Sequence, residues 1–385
     1  MHQNISGEKL RFGRMMVYAG AVMSLMIGAA FATGQEVLMY FVAWGKDMFA
    51  IVGIILAIII WISLSFSIAG SRHHFQKNEE IFTFFCGRYF GKVYDYFTAF
   101  FSYACYLFML GGVGSTMKEQ FGISAVIGIV GLSVIVILTV SMGLQKITDI
   151  LGFLGTILLV VILLISVVTL ALHFDQIPAN YEALNTLGPE YFGIEKSIAP
   201  NVLMNALNYM GTVVIWFITF ITMMAVQSER KIEVKVGSVV GSALFMGALL
   251  IVAFAMISVL PIVGASDVPS IVMAANLWQP LAAFFAVIVI GGSFTTAVPL
   301  LWTPVSRFAE DGSAKARLLA LVLGVIGVVI ALFVPYKTLM NYVMNVGGML
   351  AYVMFAFILW TDIRMFRERK TKAYFFKIYF WRKLL

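Results

Sequence analysis

The chain has 385 residues, of which 61% are hydrophobic and 12% charged, with a mean hydropathy of +0.97 and a formal net charge of +7. A soluble domain carries about 25% charged residues and no long apolar runs, so this composition excludes a soluble or disordered protein. Two cysteines exclude a disulfide scaffold, and an integral membrane protein is what remains.

The first apolar segment, from Gly13 to Trp44, is interrupted in its middle by Gly28-Ala29-Ala30-Phe31-Ala32-Thr33-Gly34-Gln35-Glu36. Glu36 is the only acidic residue deep in an apolar run of the sequence. A charge at that depth is costly and needs a partner or a use. Glycines, a threonine and a carboxylate inside an apolar run point to a broken helix with a polar site at the break, the construction used by secondary transporters. Ala30-Phe31-Ala32 mimics a leader cleavage site, but the apolar stretch before it is long and the chain continues as membrane.

Nine further runs lack Asp, Glu, Lys and Arg: Met48–Ser71, Tyr96–Met117, Gln120–Gln145, Leu151–Leu172, Pro200–Ser228, Val236–Ser266, Val268–Ser306, Leu318–Tyr336 and Thr338–Thr361. A spanning helix takes roughly 20 such residues, which gives about ten spans in all. With the N-terminus in the cytoplasm, only Lys46, Lys118, Lys196 and Lys337 of the 26 Lys and Arg fall outside. That asymmetry places both termini in the cytoplasm. The basic tail from Arg364 to Lys383 reads as a partner of anionic lipid headgroups in the bilayer, not of nucleic acid. Cys86 and Cys105 fall far apart in this topology, no Cys/His metal spacing exists, and His73 and His74 read as solvated loop residues.

Two loops are long. The one from Arg72 to Tyr94 has room for a short surface helix. The one from His173 to Ala199 carries Asp175, Glu182, Glu190 and Glu195 against Lys196, and divides the chain into halves of about five spans. The expected organisation is a single membrane domain, with repeat one at about 12–172, repeat two at about 200–363 and the tail at 364–385. Five is odd, so the halves enter the membrane in opposite senses, as in an inverted repeat.

In that plan the sixth span is also broken, and it does carry polar residues: Asn205, Asn208, Gly211 and Thr212 amid Val, Ile, Trp and Phe. Asn at that depth faces the bundle interior. Half-helix ends at two facing breaks suit a substrate carboxylate and a cation. The alternative is a glycine packing patch with polar groups bonded between helices. Late in the eighth span, Gly291-Gly292-Ser293-Phe294-Thr295-Thr296 places two hydroxyls where they can ligate a hard cation, or bond back to their own helix.

The Gly28 to Glu36 run resembles the signature of the YkvI-like bacterial membrane proteins, roughly G-A-G-F-A-S-G-Q-E, with Ala30 where that family more often has glycine and Thr33 where it often has serine. That family is similar to the amino acid–polyamine–organocation transporters. The resemblance covers essentially the whole chain. It implies an all-α, LeuT-type membrane protein of ten spans with spans one and six broken, in a bacterial cell (inner) membrane. It also implies a coupling Na+ held by carbonyls near Ser24 and Ile27, by Gly292 and by the hydroxyls of Thr295 and Thr296. Some proton-coupled relatives carry a lysine on the fifth span in place of the cation, and Leu151–Leu172 has none, which favours sodium. Glu36 argues for H+, because a carboxylate withdrawn from water can carry a proton.

The expected function is secondary transport of a small solute, an amino acid first, held by Gly28, Ala29, Ala32, Thr33 and Gly34 of the first span and by Asn205, Asn208, Gly211 and Thr212 of the sixth. Tyr103 and Tyr106 close over it from the third, and Glu36 couples. A ten-span sensor that binds without moving its solute is the alternative. An enzyme is not expected, because paired carboxylates, Ser/His and Cys/His sets are missing from the runs.

Overall fold

Backbone N–H and C=O groups at bilayer depth have no water to bond, so a spanning chain satisfies them within helices. The computed structural model describes residues 10–27, 29–73, 75, 77–142, 148–310 and 312–367, and every regular element among them is helical. The first span is assembled from α1 (Phe12–Met26), α2 (Ala29–Thr33) and α3 (Gln35–Tyr40). A 3-10 turn at Val42–Asp47 leads into α4 (Met48–Arg72). The next helix, α5 (Asn78–Phe121), bends at Gly87, where φ is 75°. The part before the bend is the surface helix expected between Arg72 and Tyr94. α6 (Ala125–Met142) and α7 (Thr148–His173) follow; the turn carrying Lys146 lies outside the described residues, as does the chain beyond 367.

The 173–199 segment holds α8 (Ile177–Leu187). Then come α9 (Val202–Gln227), α10 (Lys231–Ser258), the short α11 (Leu260–Val263) and α12 (Pro269–Leu277), and α13 (Gln279–Phe308). α14 (Ala314–Phe333) and α15 (Tyr336–Leu350) end the bundle, with a further helix at 352–367 after a turn at Ala351. Nine helices among the described residues are long and apolar enough to cross a membrane. The broken first segment is the expected further span, and each of its pieces is too short to cross alone.

The run Val268–Ser306 holds one helix long enough to cross, as expected, but that helix starts only at Gln279: Trp278 is extended (φ −167°, ψ 120°), and prolines open the helices on both sides of it. One expectation is corrected. The sixth span is not broken: α9 runs unbroken for 26 residues. Its asparagines reach partners through their side chains, so its backbone has no reason to open. Gly211 serves a close crossing instead. A Cβ there would meet the Gly348 carbonyl and, at 2.7 Å, the Gly348 Cα, and one at Gly348 would meet the backbone of Asn208.

α4 packs along α9, α1 along α10 and α5 against α13. The α1–α10 seam is set by Gly237 and Gly241, where a Cβ would strike the backbone of Met15 and Ala19. At its end the Arg11 guanidinium bonds Glu233 at 2.7 Å and Glu229 at 3.0 Å. Those two carboxylates raise the Arg11 pKa above its ordinary value, so the tie is charged at every physiological pH.

Gly348→Ala is expected to destabilise the protein by about 1–3 kcal/mol through overpacking, read as a lower melting temperature in detergent. Gly247→Ala, with nothing within 4 Å of the added methyl, is the control and stays within about 0.5 kcal/mol. Equal melting of the two variants would refute the close crossing.

Candidate functional site

Helical dihedrals lapse at Ile27 (φ −91°, ψ 84°) and again at Gly34, whose φ of 81° is left-handed. A side chain at 34 is excluded by that dihedral. It is also excluded by Met256 and by the Ser270 backbone nitrogen, which a Cβ would approach to 3.2 Å. Two of the backbone groups at the break have local partners. Gly34 N–H donates to the Phe31 carbonyl at 3.0 Å, and the Ser270 hydroxyl of α12 donates to the Ala32 carbonyl. Thr33 Oγ1 and the Tyr336 hydroxyl share a hydrogen bond of 3.0 Å. Gly28 and the side chains of Ser24 and Ala29 lie outside the described residues.

Glu36 sits in the first turn of α3, only 7% exposed. Its carboxylate accepts a hydrogen bond from the Tyr209 hydroxyl of α9. Beside it lies a cavity of about 320 Å³. Leu25 and Met26 wall it from α1, Phe101, Cys105 and Phe108 from α5, and Tyr209, Thr212, Trp216 and Phe217 from α9. α13 contributes Thr296, Pro299 and Thr303, and α15 contributes Met344.

Of the residues expected to hold substrate or to couple, Glu36, Thr212 and Thr296 line this cavity. The other expected residues that are described are placed elsewhere. Asn205 donates to the Tyr40 carbonyl at 2.8 Å and accepts from Ser197 at 2.5 Å. Asn208 donates to Asn345 at 2.7 Å and accepts from the Tyr352 hydroxyl. Asn345 in turn bonds the Tyr40 hydroxyl at 2.8 Å and the Asn341 side chain at 2.6 Å. These residues form one buried network joining α3, α9 and α15, not a substrate shell. The partner of Glu36 on α9 is thus Tyr209, not these asparagines. Gln35 is fully buried, and neither polar atom of its amide has a hydrogen-bond partner.

Tyr103 and Tyr106 face away from the cavity: the first donates to the Leu323 carbonyl of α14 and the second pairs with Ser133 of α6, both at 2.8 Å. At about 100° per residue, a helix that turns 101, 105 and 108 inward turns 103 and 106 outward. On α13 the hydroxyls of Thr295 and Thr296 both donate to the Gly292 carbonyl, at 2.8 and 2.9 Å, which keeps their lone pairs free. Pro299 has no N–H for the Thr295 carbonyl four residues earlier. No group of three or more His, Cys, Asp or Glu among the described residues is placed to hold a metal ion.

Tyr209, Cys105, Trp216, Asn345 and Tyr352 were not anticipated. Tyr209 adjoins Asn208 in the polar stretch of α9, which was its one visible signal. Asn345, an amide in the apolar run Thr338–Thr361, carried the same signal as Asn205 and Asn208, while Cys105, Trp216 and Tyr352 carry none beyond helical phase.

No family model matches the chain. It is 26% identical over 303 residues to YkvI, an uncharacterized membrane protein of Bacillus subtilis (strain 168), across 74% of this chain and 77% of that protein. The chain is similar to YkvI over that span. Its fold is similar to that of the Eremococcus coleocola manganese transporter. A mutant of that protein superposes with a TM-score of 0.57 at 15% identity, over 90% of this chain and 78% of the other. Its complex with an aromatic bis-isothiourea substituted compound gives 0.55, over 92% and 80%. At that identity the likeness is one of fold: a multi-pass, all-helical membrane protein, in line with the LeuT-type architecture that the resemblance implies, apart from the unbroken sixth span.

Asn345→Leu removes the hub of the buried network and strands Asn208 and the Tyr40 hydroxyl. A loss of about 1–3 kcal/mol is expected, measured as a lower melting temperature in detergent. An unchanged melting temperature would mean that the network does not hold α3, α9 and α15 together.

Proposed function

We propose that this multi-pass membrane protein is a secondary active transporter of a small organic solute, held in the Glu36 cavity. The observation that carries the reading is that cavity: about 320 Å³, walled by helices of five spans, with a single carboxylate placed where the first span breaks. Small-molecule sites begin at about 300 Å³. The fold likeness to a manganese transporter supports the class but not the cargo, because the described residues offer no cluster fit for a metal. An amino acid fits the volume, and the groups lining the cavity decide between it and other small organic solutes.

Alternating access follows from the two sides of the break. The cavity is walled by α1 residues before the break and by the later half of α13. With the N-terminus in the cytoplasm, these belong to the inner half. The outer half is closed by the asparagine network and by α12 on Ala32 and Gly34. The conformer is therefore inward-facing, with the inner half of the first span docked on α10. Opening outward requires the network to part and α1 to leave the α10 seam.

Glu36 is the coupling group in this reading, taking up and giving up a proton as the site changes sides. A sodium ion between α1 and α13 is the second reading, favoured by the free lone pairs of Thr295 and Thr296 and by the Thr295 carbonyl, to which Pro299 offers no N–H.

In proteoliposomes given a panel of amino acids and amines, uptake driven by a pH gradient is expected, and Glu36→Gln should reduce it at least about tenfold while the variant still folds and inserts. Wild-type uptake with an unchanged pH profile in Glu36→Gln would remove the coupling role. Loss of sodium stimulation in Thr296→Ala, with Glu36→Gln unaffected, would favour the second reading.

A further inference from the structure

The cavity has an unusual balance of hydrogen-bonding groups. It holds one carboxylate, and no Lys, Arg or His is among its lining residues. Its three threonines have already committed their protons: Thr212 donates to the Tyr209 carbonyl at 2.7 Å, Thr296 to Gly292 at 2.9 Å and Thr303 to Pro299 at 2.7 Å. Each hydroxyl therefore meets a ligand as an acceptor. The Tyr209 proton is directed to Glu36. Pro299 in the wall brings no N–H. The groups that titrate around Glu36 are Tyr40 on its own helix, Tyr209 on α9, Cys105 on α5 and Tyr336 on α15. None of them is a cation. The remaining wall is aromatic and sulfur-bearing, with Phe101, Phe108, Trp216 and Phe217 and with Met26 and Met344.

We propose that the solute is a small lipophilic amine bound as its ammonium ion, with the ammonium on Glu36 and the hydrocarbon body against Phe108, Trp216 and Phe217. An ammonium brings N–H donors and a positive charge to a site that offers acceptors and a negative one. Ring faces attract such a cation further, and more strongly in a desolvated site. A carboxylate on the same solute meets no basic side chain here. It would lie in the same apolar chamber as Glu36, and like charges in such a chamber repel strongly. An amino acid is thus disfavoured by the groups that favour the amine of the same skeleton. This assignment rests on the reading of the cavity as the solute site, not on transport itself.

The test is calorimetric binding to the purified full-length protein in detergent, with three probes that share a phenylethyl body: phenethylamine, L-phenylalanine and 3-phenylpropionate. Butylamine and benzylamine extend the amine series to shorter bodies. The expected result is that amines bind and that L-phenylalanine and 3-phenylpropionate bind at least about tenfold more weakly, a difference of about 1.4 kcal/mol. Glu36→Gln should weaken amine binding by a similar factor at an unchanged melting temperature, and Glu36→Asp should restore part of it. L-Phenylalanine or 3-phenylpropionate binding as tightly as phenethylamine would overturn the proposal. So would full amine affinity in Glu36→Gln, or no binding by any amine. The transport reading fails separately: a protein that binds amines yet accumulates no solute in proteoliposomes keeps the ammonium site and loses the transporter. One that accumulates an amino acid and binds no amine does the reverse.

Discussion

An interrupted helix at bilayer depth leaves N–H and C=O groups that lipid cannot satisfy, and the rest of this structure is arranged to answer that interruption in the first span. α12 exists as a separate short helix whose Ser270 hydroxyl reaches the Ala32 carbonyl. Tyr336 opens α15 and meets Thr33. Past α3, Asn205 takes the Tyr40 carbonyl, and Ser197 N–H donates to the Met39 carbonyl at 3.3 Å. The break is thus held from the α12 segment, α9, α15 and the loop before α9. What it leaves facing the interior cavity is Glu36.

The same arrangement explains which parts were legible in the sequence. Gly34 inside an apolar run, followed by Gln35 and Glu36, is a pattern that a continuous lipid-facing helix does not tolerate, so the first break could be read directly. The stretch Asn205, Asn208, Gly211 and Thr212 carries the same residue types and yields an unbroken helix. Composition does not separate a broken span from a polar crossing, because the difference lies in partners far along the chain. Asn345 and Tyr352 supply those partners to Asn208, and Gly348 supplies the close approach to Gly211. Helical phase misplaced Tyr103 and Tyr106, since a helix buried on several sides gives no amphipathic stripe from which to choose a face. The division of the Val268–Ser306 run was signalled only by Pro269 and Pro280, while the apolar composition continued across it.

The two sides of the break are held by different chemistry. One side, beyond α3, is a dense network of neutral amides and hydroxyls, which can part without leaving a bare charge. The other side carries charged groups: Arg11 with Glu229 and Glu233, Arg307 with Asp95, and Asp362 accepting from Trp61 at 2.9 Å and Ser65 at 2.7 Å. Of these, Glu229 is exposed and Glu233 is fully buried. Between them lies an apolar chamber with one carboxylate, where a solute in the proposed site would gain a charge partner and lose water in one step.

The central claim is that this chamber opens to one side of the membrane at a time. Cys105 lies in its wall and Cys86 does not, so with Cys86→Ser in place Cys105 reports on the chamber. Side-specific modification by a membrane-impermeant methanethiosulfonate reagent, in sealed right-side-out and inside-out vesicles, is the most direct measurement. The expected result is modification from the cytoplasmic face alone in the resting protein, slowed by a solute that occupies the chamber. Modification from neither face, or equally from both at once, would contradict it.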